Sequence, residues 1–272
     1  MKYIYGKNVF LTGGSSGIGM ATAEFFAQHG YTVYSASRNP KLENRKFDSG
    51  EIVPVALDVR DMDSVERAAD RVLSQADIGV LIHCAGIGIA SAGEEYHTSA
   101  IDGLMDTNFN GVLRVNNYFL PHLRERGNGL CIIVGSVGGV FPVPFQSHYS
   151  ASKAALDLYS SALGMELWRH GVKVSLVMPG DTNTGFTGAR KYEIDEASAF
   201  YDDCIRAVVK MEKDELNGKS PLSVARVMLK LCSRKNPPAR RTVGFDYKML
   251  TFLKRILPNR FVLFLLRRVY LS

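Results

Sequence analysis

The chain has 272 residues, 46% hydrophobic and 22% charged, which is enough for one α/β domain with a well-buried core. Its net charge of +6 is uneven: residues 240–272 carry eight Lys and Arg against Asp246 alone, leaving the rest of the chain at −1, so the body of the protein is not a basic nucleic-acid binder. The four cysteines, Cys84, Cys131, Cys204 and Cys232, form no CxxC pair and no metal-ligand spacing, the N-terminus is too short and polar for a secretory signal, and no apolar run reaches the roughly 18 residues of a bilayer span; the expectation is a reduced, cytoplasmic protein without a metal site.

In chain order, residues 8–12 (NVFLT) read as a short buried strand that runs into glycines. Residues 17–29 then read as a helix closed by Gly30. Strand, glycine turn and helix form a phosphate cradle: glycines allow close backbone approach, and the helix start offers free N–H groups to a pyrophosphate. The same pattern also fits a tight βα turn with no ligand. Residues 31–37 form the second strand. NAD binding would place an acid at its end, where a carboxylate meets the ribose 2′-hydroxyl; here Ser37 and Arg38 follow, and an arginine suits a 2′-phosphate, so NADP is favoured over NAD.

Strands follow at 52–57, 78–83, 130–134 and 172–178. Between them, Asp61 caps a helix reaching about Gln75, a long helical stretch covers 99–126 with a kink or new start expected at Pro121, and a third helix covers 149–170. This alternation predicts a Rossmann-type doubly wound parallel sheet with helices on both faces. From Pro179 to about Ser220 the chain is less regular, with a helical stretch near 194–212, and reads as a mobile cover over the site. A helix at 221–233 and an edge strand at 241–245 complete a domain over residues 1–245. Residues 246–272 form a basic, amphipathic helical extension divided by Pro258.

Tyr149 and Lys153 lie four residues apart, on one face of the helix. A phenol beside a fixed ammonium can give a proton to a carbonyl oxygen or take one from an alcohol. Such a pair is common on helix surfaces; the upstream Ser136 and the N-terminal nucleotide turn are what raise it above the background.

Taken together, TGGSSGIG at 12–19, Asp58-Val59, Ala85-Gly86, Asn108, Ser136, YSASK at 149–153 and PGDTNT at 179–184 resemble the short-chain dehydrogenase/reductase family over roughly residues 5–245. That resemblance implies roles. Gly13, Ser15, Ser16, Gly17, Ile18 and Gly19 would form the dinucleotide turn, with Ser37, Arg38, Asp58, Val59, Ala85 and Gly86 along the adenosine side and Pro179, Gly180, Thr182 and Thr184 at the nicotinamide and pyrophosphate. Ser136 would hydrogen-bond the reacting oxygen, Tyr149 would transfer the proton, Lys153 would lower the Tyr149 pKa and hold the nicotinamide ribose, and Asn108 would anchor a water relay. The family often has Asn-Asn-Ala-Gly after its fourth strand. Here His83-Cys84-Ala85-Gly86 stands in its place, which removes an amide and puts a contact at Cys84 in doubt.

Within the family, residues 136–145, Thr184-Gly-Phe-Thr and the C-terminal extension resemble the 17β-hydroxysteroid dehydrogenase and retinol dehydrogenase branch. The implied activity is hydride transfer between NADP and a secondary alcohol or ketone of a lipophilic, hydroxysteroid- or retinoid-like substrate. A 3-oxoacyl thioester reductase uses the same residues and is the rival enzyme; a non-catalytic nucleotide sensor on the same fold is the rival from another class. Phe141, Val143, Phe145 and Phe186 are the substrate-side candidates, although an apolar loop suits core packing or a subunit contact equally well. The tail reads first as an amphipathic helix packed on its own domain, and three further roles compete: covering the substrate mouth, packing on a second copy in a homodimer or homotetramer, or lying weakly on an anionic membrane.

Overall fold

The computed structural model describes residues 2–40 and 43–271. Six parallel strands carry the fold: β1 (Asn8–Thr12), β2 (Thr32–Ser37), β4 (Glu51–Ala56), β5 (Val80–His83), β7 (Gly129–Val134) and β8 (Val172–Met178). Two short strands extend the sheet, β10 (Arg240–Thr242) parallel to β8 at one edge and β3 (Arg45–Lys46) antiparallel to β4 at the other. The order is β10-β8-β7-β5-β1-β2-β4-β3. Chain direction across the sheet reverses between β1 and β5, and a doubly wound sheet opens its binding crevice at the carboxyl ends of those strands.

The strand sequences explain why both faces are covered. In β1, Val9 and Leu11 point to one side and Phe10 to the other, and all three are fully buried. On the Phe10 side pack α2 (Met62–Leu73), α4 (Gly111–Glu125) and α5 (Ser147–Glu166). Phe10 stacks on Phe119 of α4 with ring centroids 4.1 Å apart and planes 25° from parallel. On the Val9 side pack α1 (Gly17–Gln28) and α7 (Leu222–Cys232), through Phe26, Val224 and Met228.

The long stretch predicted over 99–126 is interrupted at a different place. α3 (Thr98–Met105) passes into one wide π turn at Asp106–Asn110 before α4, whereas Pro121 sits inside α4 without ending it. The wide turn directs Asn108 into the interior. There its amide Nδ2 donates to the Ile87 carbonyl at 3.0 Å and to Ser152 Oγ at 3.1 Å, and its Oδ1 accepts from the Ile87 N–H at 2.8 Å. Three hydrogen bonds from one buried amide repay the irregular turn.

The region read as a mobile cover is tied down at two places. A bridge joins Thr182 to Lys219, and the short parallel pair β6 (Ile89–Ala90) and β9 (Lys191–Tyr192) fastens it to the segment after β5. Its helix, α6 (Tyr201–Leu216), lies several residues further along than the expected 194–212. The extension forms two helices, α8 (Phe245–Ile256) and α9 (Asn259–Tyr270), separated at Pro258 as the sequence reading expects. α8 is held at its start by Tyr247, which donates to the Asp181 carboxylate and accepts from the Asp181 N–H, and by an ion pair of Asp246 with Lys219. No helix among the described residues is long and apolar enough to cross a membrane.

Candidate active site

A cavity of about 1090 Å³ opens at the carboxyl ends of β1, β5, β7 and β8 and runs on beneath the tail helices. Its first wall is the turn between β1 and α1. Gly13 has φ +76, and a Cβ there would stand 2.6 Å from the Ala85 backbone nitrogen; a Cβ on Gly19 would run into the Gly13 carbonyl. The two glycines let the turn lie flat against the end of β5. Ser16 caps α1 without using its side chain, and no acidic residue stands in the first helical turn, so the N–H groups at the helix start and the positive end of its dipole are available to an anion. This cradle fits a dinucleotide pyrophosphate. Ser15, Gly17, Ile18, Ser37, Val59, Ala85, Gly86, Pro179, Gly180, Thr182 and Thr184 line the same cavity.

At the adenosine end the sequence reading missed Arg60. Its guanidinium pairs with Asp58, Nη2 to Oδ2 at 3.1 Å, and its N–H donates to Asp58 Oδ1 at 3.0 Å. Burial alone would push the Asp58 carboxyl up; the Arg60 hydrogen bonds and charge, with Arg38 adding to them, hold it below the usual carboxylate range. Arg38 is exposed and lines the cavity, so two arginines face this end. The only sequence signal for Arg60 was its place two residues after Asp58. Cys84 also lines the cavity despite its departure from the family pattern. His83 does not. It is buried with Nε2 2.9 Å from Asn116 Oδ1, and burial pushes its pKa down to about 4, so it is neutral at physiological pH.

The centre of the cavity brings together Ser136, Tyr149 and Lys153. Ser136 follows β7 and caps a single 3₁₀ turn at Val137–Gly139, with Oγ accepting from the Gly138 N–H at 3.0 Å. The cap and a place beside Tyr149 are compatible, because the turn fixes the hydroxyl next to the phenol. Tyr149 and Lys153 occupy the first two turns of α5, and the Lys153 ammonium lies 5.7 Å from the Tyr149 ring centroid while donating to the Val134 carbonyl at 3.1 Å.

The expected electrostatics need correction. Burial pushes the Tyr149 phenol above its ordinary value, the hydrogen bond with Ser136 acts downward, Glu215 acts upward and Arg190 downward. Lys153 itself is pushed down to about 8 by burial. Two candidates lie outside the cavity wall. Asn108 acts behind it, on the backbone of Ile87 and on Ser152. Phe145 adopts φ +57, its carbonyl accepts from the Ser91 N–H at 2.9 Å, and its ring packs on the α6 cluster of Cys204, Ala207, Val208 and Met211. Core packing therefore wins at Phe145, while Phe141, Val143 and Phe186 do line the cavity, the Phe186 ring centroid 5.8 Å from that of Tyr149.

The substrate end contains groups the sequence did not single out: Met211 and Glu215 from α6, and Leu250, Leu253, Val262 and Leu266 from the tail. The apolar residues of α8 and α9 recur at helical spacing, which showed that one face would be covered but not what it would cover.

Lys153 also supplies a pH signature. Its folded pKa lies below that of an exposed lysine, so the unfolded chain holds more protons between pH 8 and about 10.5, and stability rises with pH across that window. Lys153→Met removes this term. Without nucleotide, the variant should melt higher than the wild type at pH 7, with the gap narrowing by pH 10. Thermal melts across this range check it, and a pH-independent gap speaks against a buried, depressed ammonium.

The comparisons agree with this geometry. The short chain dehydrogenase family matches residues 7–194. A 3-ketodihydrosphingosine reductase of Bacteroides thetaiotaomicron is 37% identical over 266 residues, covering 96% of this chain and 97% of that protein. Retinol dehydrogenase 8 of Bos taurus is 30% identical over 271 residues, covering 93% of this chain and 86% of that one. A solved short-chain dehydrogenase from Streptomyces avermitilis superposes with a TM-score of 0.80 at 27% identity, covering 92% of this chain and 94% of that one. The chain belongs to the short-chain dehydrogenase/reductase family, whose members are oxidoreductases of CH–OH and keto groups that use NAD or NADP.

Proposed function

We propose that this protein is an NADPH-preferring reductase of a long-chain lipophilic ketone, with the amino ketone 3-ketodihydrosphingosine as the best-supported substrate. The observation that carries the reading is the continuity of the cavity. From Ser136 and Tyr149 it runs between Phe141, Val143 and Phe186 into a channel roofed by Leu253, Val262 and Leu266 of the tail. Such a channel suits an alkyl chain attached to the reacting carbon. Similarity to the 3-ketodihydrosphingosine reductase along nearly the full chain, tail included, supports the same substrate class. A steroid ketone or the aldehyde retinal is the second reading, supported by similarity to 17-beta-hydroxysteroid dehydrogenase type 1 of Homo sapiens and to retinol dehydrogenase 8.

When bound, the nicotinamide supplies a hydride to the carbonyl carbon. The residues supply the rest. Gly13, Gly19 and the start of α1 hold the pyrophosphate, and Arg38 with Arg60 faces the adenosine phosphate. Ser136, fixed by its cap on Gly138, donates to the carbonyl oxygen. Tyr149, kept neutral by burial, donates the proton to that oxygen as charge develops on it. Lys153, held at the end of β7 by the Val134 carbonyl, would hold the nicotinamide ribose. Asn108 is a positioning residue, joining the 86–88 segment to α5.

One assay tests this assignment. NADPH oxidation is followed with 3-ketodihydrosphingosine, a ketosteroid, retinal and an acetoacetyl thioester, with NADH as control. The amino ketone and NADPH should give the highest kcat/KM, Tyr149→Phe should bind NADPH and lose about 10³-fold or more of turnover, and Arg38→Asp should move preference toward NADH. Turnover of the thioester alone makes the protein a 3-oxoacyl reductase.

The outer side of the tail carries exposed Phe245, Phe252 and Ile256 among exposed Lys248, Arg255 and Arg260. This combination suits weak attachment to an anionic membrane at the mouth of the channel. The triple variant Phe245→Ser, Phe252→Ser, Ile256→Ser should lose co-sedimentation with phosphatidylserine vesicles; retained binding sinks the idea. Leu158, Met165 and Trp168 stand 75%, 70% and 62% exposed on and just after α5, a surface suited to a homodimer or homotetramer formed through α4 and α5. Light scattering should report a dimer or tetramer, and a monomeric mass overturns this contact.

A further inference from the structure

Three carboxylates line the cavity among the described residues: Asp58, Asp181 and Glu215. Asp58 is committed to Arg60 at the adenosine end. Asp181 receives the Tyr247 hydroxyl that anchors α8. Glu215 differs from both. It lies at the C-terminal end of α6, its side chain 18% exposed, with Oε1 accepting from Arg190 Nη2 at 2.5 Å and Oε2 from Thr187 Oγ1 at 2.7 Å. Each oxygen keeps a second acceptor site.

Arg190 does not neutralise this corner. Its side chain is fully buried and shared between Glu215 and Glu212, whose Oε1 lies 3.4 Å from Nη1, so one positive charge faces two negative ones. The surplus is felt at the reacting centre, where Glu215 acts on the Tyr149 phenol more strongly than Arg190 does in the opposite sense. Lys191, Lys254 and Arg268 also line the cavity. Lys254 is drawn to the Val140 carbonyl and lies 5.5 Å from the Phe141 ring centroid, and Arg268 lies 5.5 Å from the Phe264 ring centroid.

For a neutral ketone this surplus is a liability, since reduction builds negative charge on the carbonyl oxygen and a nearby carboxylate opposes it. A substrate that carries its own cation beside the carbonyl reverses the sign. In an α-amino ketone the nitrogen is two bonds from the reacting carbon, so the ammonium would stand between the developing alkoxide and the carboxylate and stabilise both.

We infer that Glu215 is the specificity-determining residue of this site, holding a primary ammonium adjacent to the ketone and thereby selecting long-chain α-amino ketones over neutral ketones and N-acylated analogues. The inference rests on the proposed reduction of a long-chain ketone and names the group that distinguishes its substrate. Thr187 and Arg190 are positioning residues that fix the carboxylate.

The test compares 3-ketodihydrosphingosine with its N-acetyl derivative, which has the same chain and ketone but no charge. The wild type should prefer the amine, and Glu215→Gln, which keeps the shape and both neighbours, should reduce the amine-to-N-acetyl ratio of kcat/KM by about 10- to 100-fold. A general loss of structure would lower both substrates together and leave the ratio in place. A second arm needs only the wild type: sphinganine should inhibit at a concentration at least about tenfold lower than N-acetylsphinganine. Equal inhibition by the two, or an unchanged ratio in Glu215→Gln, overturns the role of Glu215 while leaving the proposed reduction intact. Reduction of retinal or a ketosteroid with no turnover of either sphingoid ketone overturns the proposed function and this inference together.

Discussion

The buried ammonium of Lys153 sets the terms for the residues around it. A lysine head group taken out of water must find an acceptor or lose its proton. Here it finds the Val134 carbonyl, at the point where β7 ends and the chain turns into the Ser136 cap. That bond ties the first turns of α5 to the end of the central sheet. Tyr149 is placed by the same helix, Ser136 by the same turn, and Gly139 allows the approach, since a Cβ there would stand 2.8 Å from the Lys153 carbonyl carbon. On the far side of α5, Ser152 Oγ donates to the Tyr149 carbonyl at 2.7 Å and accepts from the Asn108 amide. Ser136, Tyr149 and Lys153 are therefore positioned by a short chain of buried polar contacts and not by the loops above them.

Those loops and the tail serve a different purpose. They connect the rigid centre to a variable roof, and their own charges are balanced locally: Asp246 with Lys219, Tyr247 with Asp181, Arg190 with Glu212 and Glu215. Around Arg190 one guanidinium faces two carboxylates, and one of them, Glu215, lies in the same cavity wall as Tyr149, where fixed charge acts on any charge that develops.

Much of this was legible in the sequence, for identifiable reasons. The strand runs are short, apolar and bounded by glycine, so the order of elements and the doubly wound sheet could be read directly. The glycine turn and the Tyr149–Lys153 spacing carry their chemistry within a few residues of chain. What could not be read depends on long-range contact. The π turn at Asp106–Asn110 exists because Asn108 must meet Ile87 and Ser152, and nothing in residues 99–126 announces those partners, whereas Pro121 looked like the natural break and was absorbed within α4. Phe145 shared its apolar character with Phe141 and Val143, and only the position of α6 drew it out of the cavity wall. Glu215 carries no mark in the sequence, because the Arg190 buried against it lies 25 residues earlier in the chain. The net direction of the Tyr149 shift is set by burial and is not carried by the spacing, which reports which groups are near and says nothing of how much water is removed.

The position of α8 and α9 has a consequence for synthesis and for damage. The glycine turn, Ser136, Tyr149 and Lys153 all lie within the first 153 residues, yet part of the cavity wall, from Leu250 to Tyr270, comes from the last 27. A ribosome must finish the chain before the channel is closed. A frameshift or early stop near residue 245 would leave a protein with both chemical halves in place and an open trough where the channel should be. Such a product would keep the glycine turn, Ser136, Tyr149 and Lys153 and lose one wall of the cavity they share.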